Sequence, residues 1–170
     1  DVKMNVRLVD SVGYVIPNAT GYFDDNGPKL VKTPWFDDPI PFKDAAEIGT
    51  KKIMTNHSTI GVVITSDGSF GEFSRSDYQT VEDQIITEML ELKKPFVIVV
   101  NSTNPEGEEA LNLKKELEEK YNVSTLTTNV LKMEDEDIDK ILLAALNEFE
   151  ITKLDINVPI NNLLAKSLED

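Results

Sequence analysis

The run Leu8-Val9-Asp10-Ser11-Val12-Gly13 ends an apolar stretch in Asp-x-x-Gly. At the carboxyl end of a parallel strand, a carboxylate such as Asp10 can hold a magnesium-bound water. There the amide of a glycine such as Gly13 can approach a γ-phosphate with no Cβ in the way. Asp and Gly both favour turns as well, and on pattern alone the turn reading is the stronger. A second run, Val99-Val100-Asn101-Ser102-Thr103-Asn104-Pro105, stands where a GTPase of the same topology carries Asn-Lys-x-Asp. The aspartate that would accept from guanine is absent, and the Asn104 amide cannot reproduce a charged bidentate contact. Guanine selectivity is expected to be lost, while an amide or hydroxyl remains compatible with adenine. Asn101, Ser102 and Thr103 are thus candidates for contact with a base. Their plainer reading is that Asn101 ends a strand and Asn104-Pro105 starts the next helix.

No Gly-Lys-Ser or Gly-Lys-Thr occurs in the chain, so the loop that cradles β- and γ-phosphates in P-loop proteins is missing, together with the strand it follows. That strand lies between the Asp-x-x-Gly strand and its successor in the sheet. The 170 residues are therefore expected to bind nucleotide poorly, and Val6–Asp10 to pair directly with Ile60–Thr65, dimerisation through that edge being the alternative. Arg75 could neutralise phosphoryl charge in its own chain or a neighbour's, although an exposed Arg is the commoner case. His57 reads as a helix C-terminal cap. Thr65-Ser66-Asp67-Gly68 could line the crevice, but Asp-Gly is first a turn signal.

Positioning these residues requires an α/β sheet. Val6–Val9, Ile60–Thr65, Phe96–Val100 and Val123–Thr127 read as strands, the middle two without alternation, as expected of parallel strands covered on both faces. Between them lie helical stripes: Phe42, Ala45, Ala46, Gly49, Ile53; then Val81, Ile85, Met89. Ala110, Leu113, Leu117, Tyr121 make a third, and Ile138, Ile141, Leu142, Ala145, Leu146, Phe149 the clearest. The alternation predicts right-handed crossovers and a mostly parallel sheet with helices on both faces. Residues 15–41, rich in Pro and aromatics including Trp35 and Phe36, form too long a connection for a plain linker. Leu154, Ile156 and Val158 alternate with polar residues, predicting a short β segment at the C-terminus.

With 31 acidic against 17 basic residues the net charge is −14, a field that repels phosphate backbones, so no nucleic-acid partner is expected. The absence of Cys and the single His exclude disulfides, thiolate zinc sites and multi-histidine metal sites. The longest apolar run, Phe96–Val100, is far too short to span a membrane. With no leader pattern visible either, a cytosolic setting is expected.

The wording of the sequence goes further than its spacing. Val6-Arg7-Leu8-Val9-Asp10-Ser11-Val12-Gly13-Tyr14, Thr33-Pro34-Trp35-Phe36, Ala45-Ala46-Glu47-Ile48-Gly49-Thr50 and His57-Ser58-Thr59-Ile60-Gly61 resemble the stage IV sporulation protein A family. These are spore-coat morphogenetic ATPases of the GTPase-related P-loop class. The resemblance implies a cofactor pair of ATP and Mg2+, with Asp10 at the Walker-B aspartate, holding the metal through water, and Gly13 as its companion. It implies self-association into a polymer that forms the basement layer for coat assembly. Other spore coat proteins and a forespore membrane anchor would be met through regions outside this piece. The implied location is cytoplasmic, at the outer forespore membrane surface of the mother cell. On this reading residues 1–150 are the carboxy-terminal portion of an ATPase domain, and 151–170 begin the next domain. The piece alone would be inactive. A non-enzymatic α/β assembly module is the competing reading.

Overall fold

The computed structural model describes residues 5–17, 19–24 and 27–149. Its centre is a three-stranded parallel sheet of β5 (Gly61–Ser66), β6 (Phe96–Asn101) and β7 (Thr125–Thr128), in the order β5-β6-β7. The Phe-Val-Ile-Val-Val run of β6 is β-branched and apolar throughout, suited to a strand buried on both faces, and all five residues are buried. Fully burying each such side chain contributes about 1.5–3 kcal/mol, so β6 anchors the core.

Register assigns the faces. Val63 pairs with Ile98 and Thr65 with Val100, so these share one face, while Val62 opposite Val97 and Ile64 opposite Val99 share the other. On the first face Val63, Ile98 and Val100 form one cluster with Met54 of α1 (Phe42–Asn56), Ile86 and Met89 of α2 (Arg75–Leu92), and Leu113 and Leu117 of α3 (Glu108–Tyr121). α4 (Asp135–Asn147) packs against β6 and buries Ala145. The helices thus lie on both sides of the sheet, and the fold is α/β as the alternation predicts.

Capping explains the helix limits. α2 begins with a reciprocal capping box, Ser74 and Asp77, and α4 with another, Glu134 and Asp137. Asp135, Glu136 and Asp137 also place negative charge at the positive end of the α4 dipole. Lys93 and Asn122 end α2 and α3 in the left-handed region, at φ 52° and 53°. At the end of α1 the Lys94 ammonium donates to the carbonyls of Met54, Thr55 and Ser58 at 2.7, 2.7 and 2.8 Å. His57 is the C-cap of α1, its N–H on the Ile53 carbonyl at 3.0 Å.

Residues 19–41 hold two short antiparallel ribbons: β1 (Phe23–Asp24) with β2 (Gly27–Pro28), and β3 (Leu30–Val31) with β4 (Ile40–Pro41). Trp35 folds back on α1, lying so close to Gly49 that a Cβ there would meet the ring at 3.2 Å. The ammonium of Lys52 stands 5.4 Å from the Trp35 ring centre.

Two expectations are corrected. Val6–Val9 is not a strand: residues 5–16 carry no regular structure, and Leu8 is 85% exposed. A ladder needs strands about 4.8 Å apart; between Asp10–Ile16 and β5 there is instead a cavity of about 330 Å³. The direct pairing of this segment with Ile60–Thr65 does not form, and among the described residues β5 pairs only with β6. Nor is β5 covered on both faces: Val62 is 45% and Ile64 61% exposed, because on their side α4 reaches β6 but leaves β5 open. The strand expected at Val123–Thr127 begins at Thr125, and the β segment at 154–158, like the boundary at 150/151, lies outside the described residues.

Candidate functional site

All three strands are parallel, so their carboxyl ends meet at one rim, the usual ligand-binding edge of such sheets. The loops leaving β5 and β6 are joined there. The Asp67 N–H donates to the Asn101 carbonyl at 3.4 Å, and the Ser66 hydroxyl to the same oxygen at 3.3 Å. Both the N–H and the hydroxyl of Ser69 donate to Asp67 Oδ1, at 2.9 and 2.6 Å, and Ser69 Oγ accepts the Thr103 N–H at 2.8 Å. Burial pushes the Asp67 carboxyl up, but hydrogen bonds from Ser102 and Ser69 outweigh it and hold the group below the ordinary carboxylate range. Gly68 has φ +83°, and a Cβ there would lie 2.5 Å from the Arg75 amide nitrogen, so the Asp-Gly turn has a steric reason.

Of the base-contact candidates, Asn101 turns its Oδ1 to the Val130 N–H at 3.0 Å, which ties the β6 exit to the β7 exit. Ser102 is 1% exposed, its Oγ accepting from the Asn104 N–H at 3.0 Å and its own N–H donating to the Thr128 carbonyl at 2.9 Å. Thr103 is exposed. The three are contiguous at the rim: Asn101 and Ser102 hold the loops together, and Thr103 presents a side chain outward.

Asp10 is exposed and lines the cavity with Val62–Thr65 of β5 and Glu82 of α2. It does not point into the hydrophobic interior. Gly13 adopts φ +79°, a conformation that favours glycine, and its N–H donates to the Thr50 hydroxyl at 3.1 Å. Next to it the Tyr14 hydroxyl donates to the Glu88 carboxylate, which also meets the Lys51 ammonium at 2.9 Å. Burial, then that carboxylate, pushes the Tyr14 phenol well above its ordinary value. Among the described residues no three acidic or imidazole groups converge to hold a metal ion. Asp10 brings an exposed carboxylate to this cavity, a donor of the type that can hold a magnesium-bound water.

Arg75 is not a free cation. Its Nη1 and Nη2 donate to Glu82 Oε2 and Oε1 at 2.8 and 2.6 Å, and Glu82 Oε2 also accepts the Thr65 hydroxyl at 2.5 Å. Glu82, 4% exposed, was missed by sequence reasoning, although it stands on the buried stripe with Ile86 and Met89 where a lone carboxylate needs a partner. His57 belongs to the other end of the molecule, with Met54 and Lys94 at the close of α1.

Residues 1–150 match the model of the stage IV sporulation protein A ATPase domain. Stage IV sporulation protein A of Bacillus subtilis (strain 168) is 47% identical over 158 residues, 93% of this chain. The proteins of the same name from Clostridioides difficile (strain 630) and Bacillus anthracis are 45% and 42% identical over the same share. The chain spans 32% of the length of each. No solved structure matches it. The chain therefore belongs to the stage IV sporulation protein A family, and its residues 1–150 to the ATPase domain of that family.

Proposed function

We propose that the chain is the carboxy-terminal portion of an ATPase domain that hydrolyses ATP with magnesium, its phosphate-binding loop supplied by an upstream segment of the same polypeptide. The observation that carries this reading is the open side of the sheet at β5: an edge unpaired among the described residues and two exposed apolar residues, Val62 and Ile64, beside the Asp10–Gly13 segment. A strand on that edge followed by a helix over the open face is the unit that a phosphate-binding loop connects. Magnesium, when bound, neutralises charge on the β- and γ-phosphates. Asp10 orients the metal's water shell. Gly13 offers its N–H to the γ-phosphate, exchanging the Thr50 hydroxyl for it. Asn101, Ser102 and Thr103 shape the place of the base, and the lack of an acidic residue at position 104 suits adenine better than guanine.

The whole protein, on this reading, couples hydrolysis to self-association into a layer on the outer forespore membrane surface, where other spore coat proteins assemble. The test is ATP turnover by residues 1–170 and by a longer polypeptide carrying the preceding loop. Turnover only in the longer one is expected; equal activity in the two overturns the assignment. A non-enzymatic assembly role draws support from the closed Arg75–Glu82 pair, which leaves Arg75 unavailable to a phosphoryl group. Asp10→Ala in the whole protein separates the two readings: loss of hydrolysis and polymer together supports the coupled ATPase, whereas a polymer that forms unchanged without hydrolysis supports the assembly module.

A further inference from the structure

The rim contains a clasp with no evident purpose for folding. Ser69 is exposed, yet its hydroxyl joins two loops, donating to Asp67 at 2.6 Å while accepting the Thr103 N–H at 2.8 Å. On the inner side the Asp67 N–H donates to the Asn101 carbonyl at 3.4 Å, and the buried Ser102 hydroxyl accepts the Asn104 N–H at 3.0 Å. Asp67 is thus bonded to both loops, through its carboxylate to Ser69 and through its N–H to Asn101, and the path from Asp67 through Ser69 to Thr103 closes a ring of hydrogen bonds around the start of segment 102–104. A surface serine contributes little to a hydrophobic core. What the ring does fix is the height and direction of the Thr103 backbone relative to β5.

We propose that Asp67 and Ser69 are positioning residues for the purine, setting the place of the Asn101–Thr103 segment on which the base of the nucleotide rests. The inference rests on the ATP reading above and adds two residues from a different strand exit. Its consequence is a division of labour. Affinity for the nucleoside half of ATP depends on the clasp, whereas affinity for the phosphates depends on the Asp10–Gly13 side of the molecule. An exposed hydrogen bond removed from such a ring lets the segment move and weakens binding of whatever rests on it by about three- to tenfold.

The experiment uses the whole gene product and competition against a fluorescent ATP analogue, with ATP and inorganic triphosphate as competitors. Ser69→Ala is expected to weaken ATP about three- to tenfold while leaving triphosphate affinity unchanged; Ser69→Thr, which keeps the hydroxyl, is expected to restore ATP binding. Asp67→Asn, which removes the acceptor charge, is expected to follow Ser69→Ala. Unchanged ATP affinity in Ser69→Ala overturns the inference, as does an equal loss for ATP and triphosphate, which marks a general structural defect. A wild-type protein that binds triphosphate but prefers it to ATP overturns the inference and leaves the phosphate side of the proposed function standing. Wild-type protein that binds neither overturns both.

Discussion

Glu82 carries the largest single-residue consequence. Its carboxylate is nearly sealed from water and is satisfied by the Arg75 guanidinium and the Thr65 hydroxyl. Taking one member from a buried ion pair leaves the other uncompensated, which costs about 3–5 kcal/mol. The Arg75 side chain keeps 21% exposure, so water relieves part of that cost. Glu82→Ala is therefore expected to lower unfolding free energy by about 3 kcal/mol in urea titrations, and Arg75→Ala by a similar amount because it strands the more deeply buried carboxylate. The double variant is expected to lose less than the sum, and strict additivity would show that the pair is not coupled. Gly68 is the second sensitive position. Its φ of +83° disfavours any side chain, and a Cβ would press on the Arg75 amide nitrogen at 2.5 Å. Gly68→Ala is expected to cost about 1–3 kcal/mol, checked by the same titration.

At the scale of elements, carboxylates tie neighbouring pieces together outside the apolar cluster. Asp83 of α2 takes the Lys120 ammonium at 2.7 Å and the Tyr121 hydroxyl, tying α2 to the end of α3; Glu88 takes Tyr14 and Lys51, tying the irregular segment and α1 to α2. Burial raises both carboxyls, but hydrogen bonds from these partners outweigh it and lower them below the ordinary range, as at Asp67. A carboxylate lowered in the folded state contributes stability that is complete above its unfolded value, near pH 4, and is lost as pH falls through the folded value. Stability is expected to be flat with respect to these three groups near neutrality and to decline below about pH 4. Glu88→Gln is expected to make that decline shallower and to speed amide exchange at Gly13 and Tyr14, which thermal scans across pH and hydrogen exchange would check.

The same comparison marks what a sequence can carry. Four helices and three of the strands follow from period and β-branching, because those patterns are local and β6 is apolar enough to be buried under any partner. Val6–Val9 is apolar apart from Arg7 and forms no strand, since a strand exists only by pairing and its neighbour is set by topology, not by the run itself. The α4 stripe is complete in sequence, yet Ile138, Leu146 and Phe149 stay partly exposed because the sheet beneath is narrow. The place of Asn101 to Thr103 at the exit of a strand was legible from the apolar run before it. Ser69 was not, because its role depends on a backbone N–H 34 residues away.

For the molecule as a whole, one strip of exposed apolar surface lies where the sheet stops. Val62 and Ile64 point outward from a strand whose far edge has no partner among the described residues, and Gly61–Ser66 contains no Lys, Pro or other residue that blunts an open edge. The net charge of −14 opposes non-specific clumping but is not distributed to guard this strip, which carries no charge at all. Residues 1–170 alone are therefore expected to self-associate through β5 as concentration rises and to bind a hydrophobic dye, both visible by sedimentation and fluorescence. Ile64→Lys places a charge on the exposed side of the strand and leaves the Val63–Ile98 packing on the other side intact, so it is expected to hold the chain monomeric at no loss of thermal stability. In the longer polypeptide with the preceding loop, the same substitution should destabilise the fold, because a strand and helix then cover the position. If Ile64→Lys acts identically in the short and long chains, β5 is a true edge and the sheet is complete as it stands.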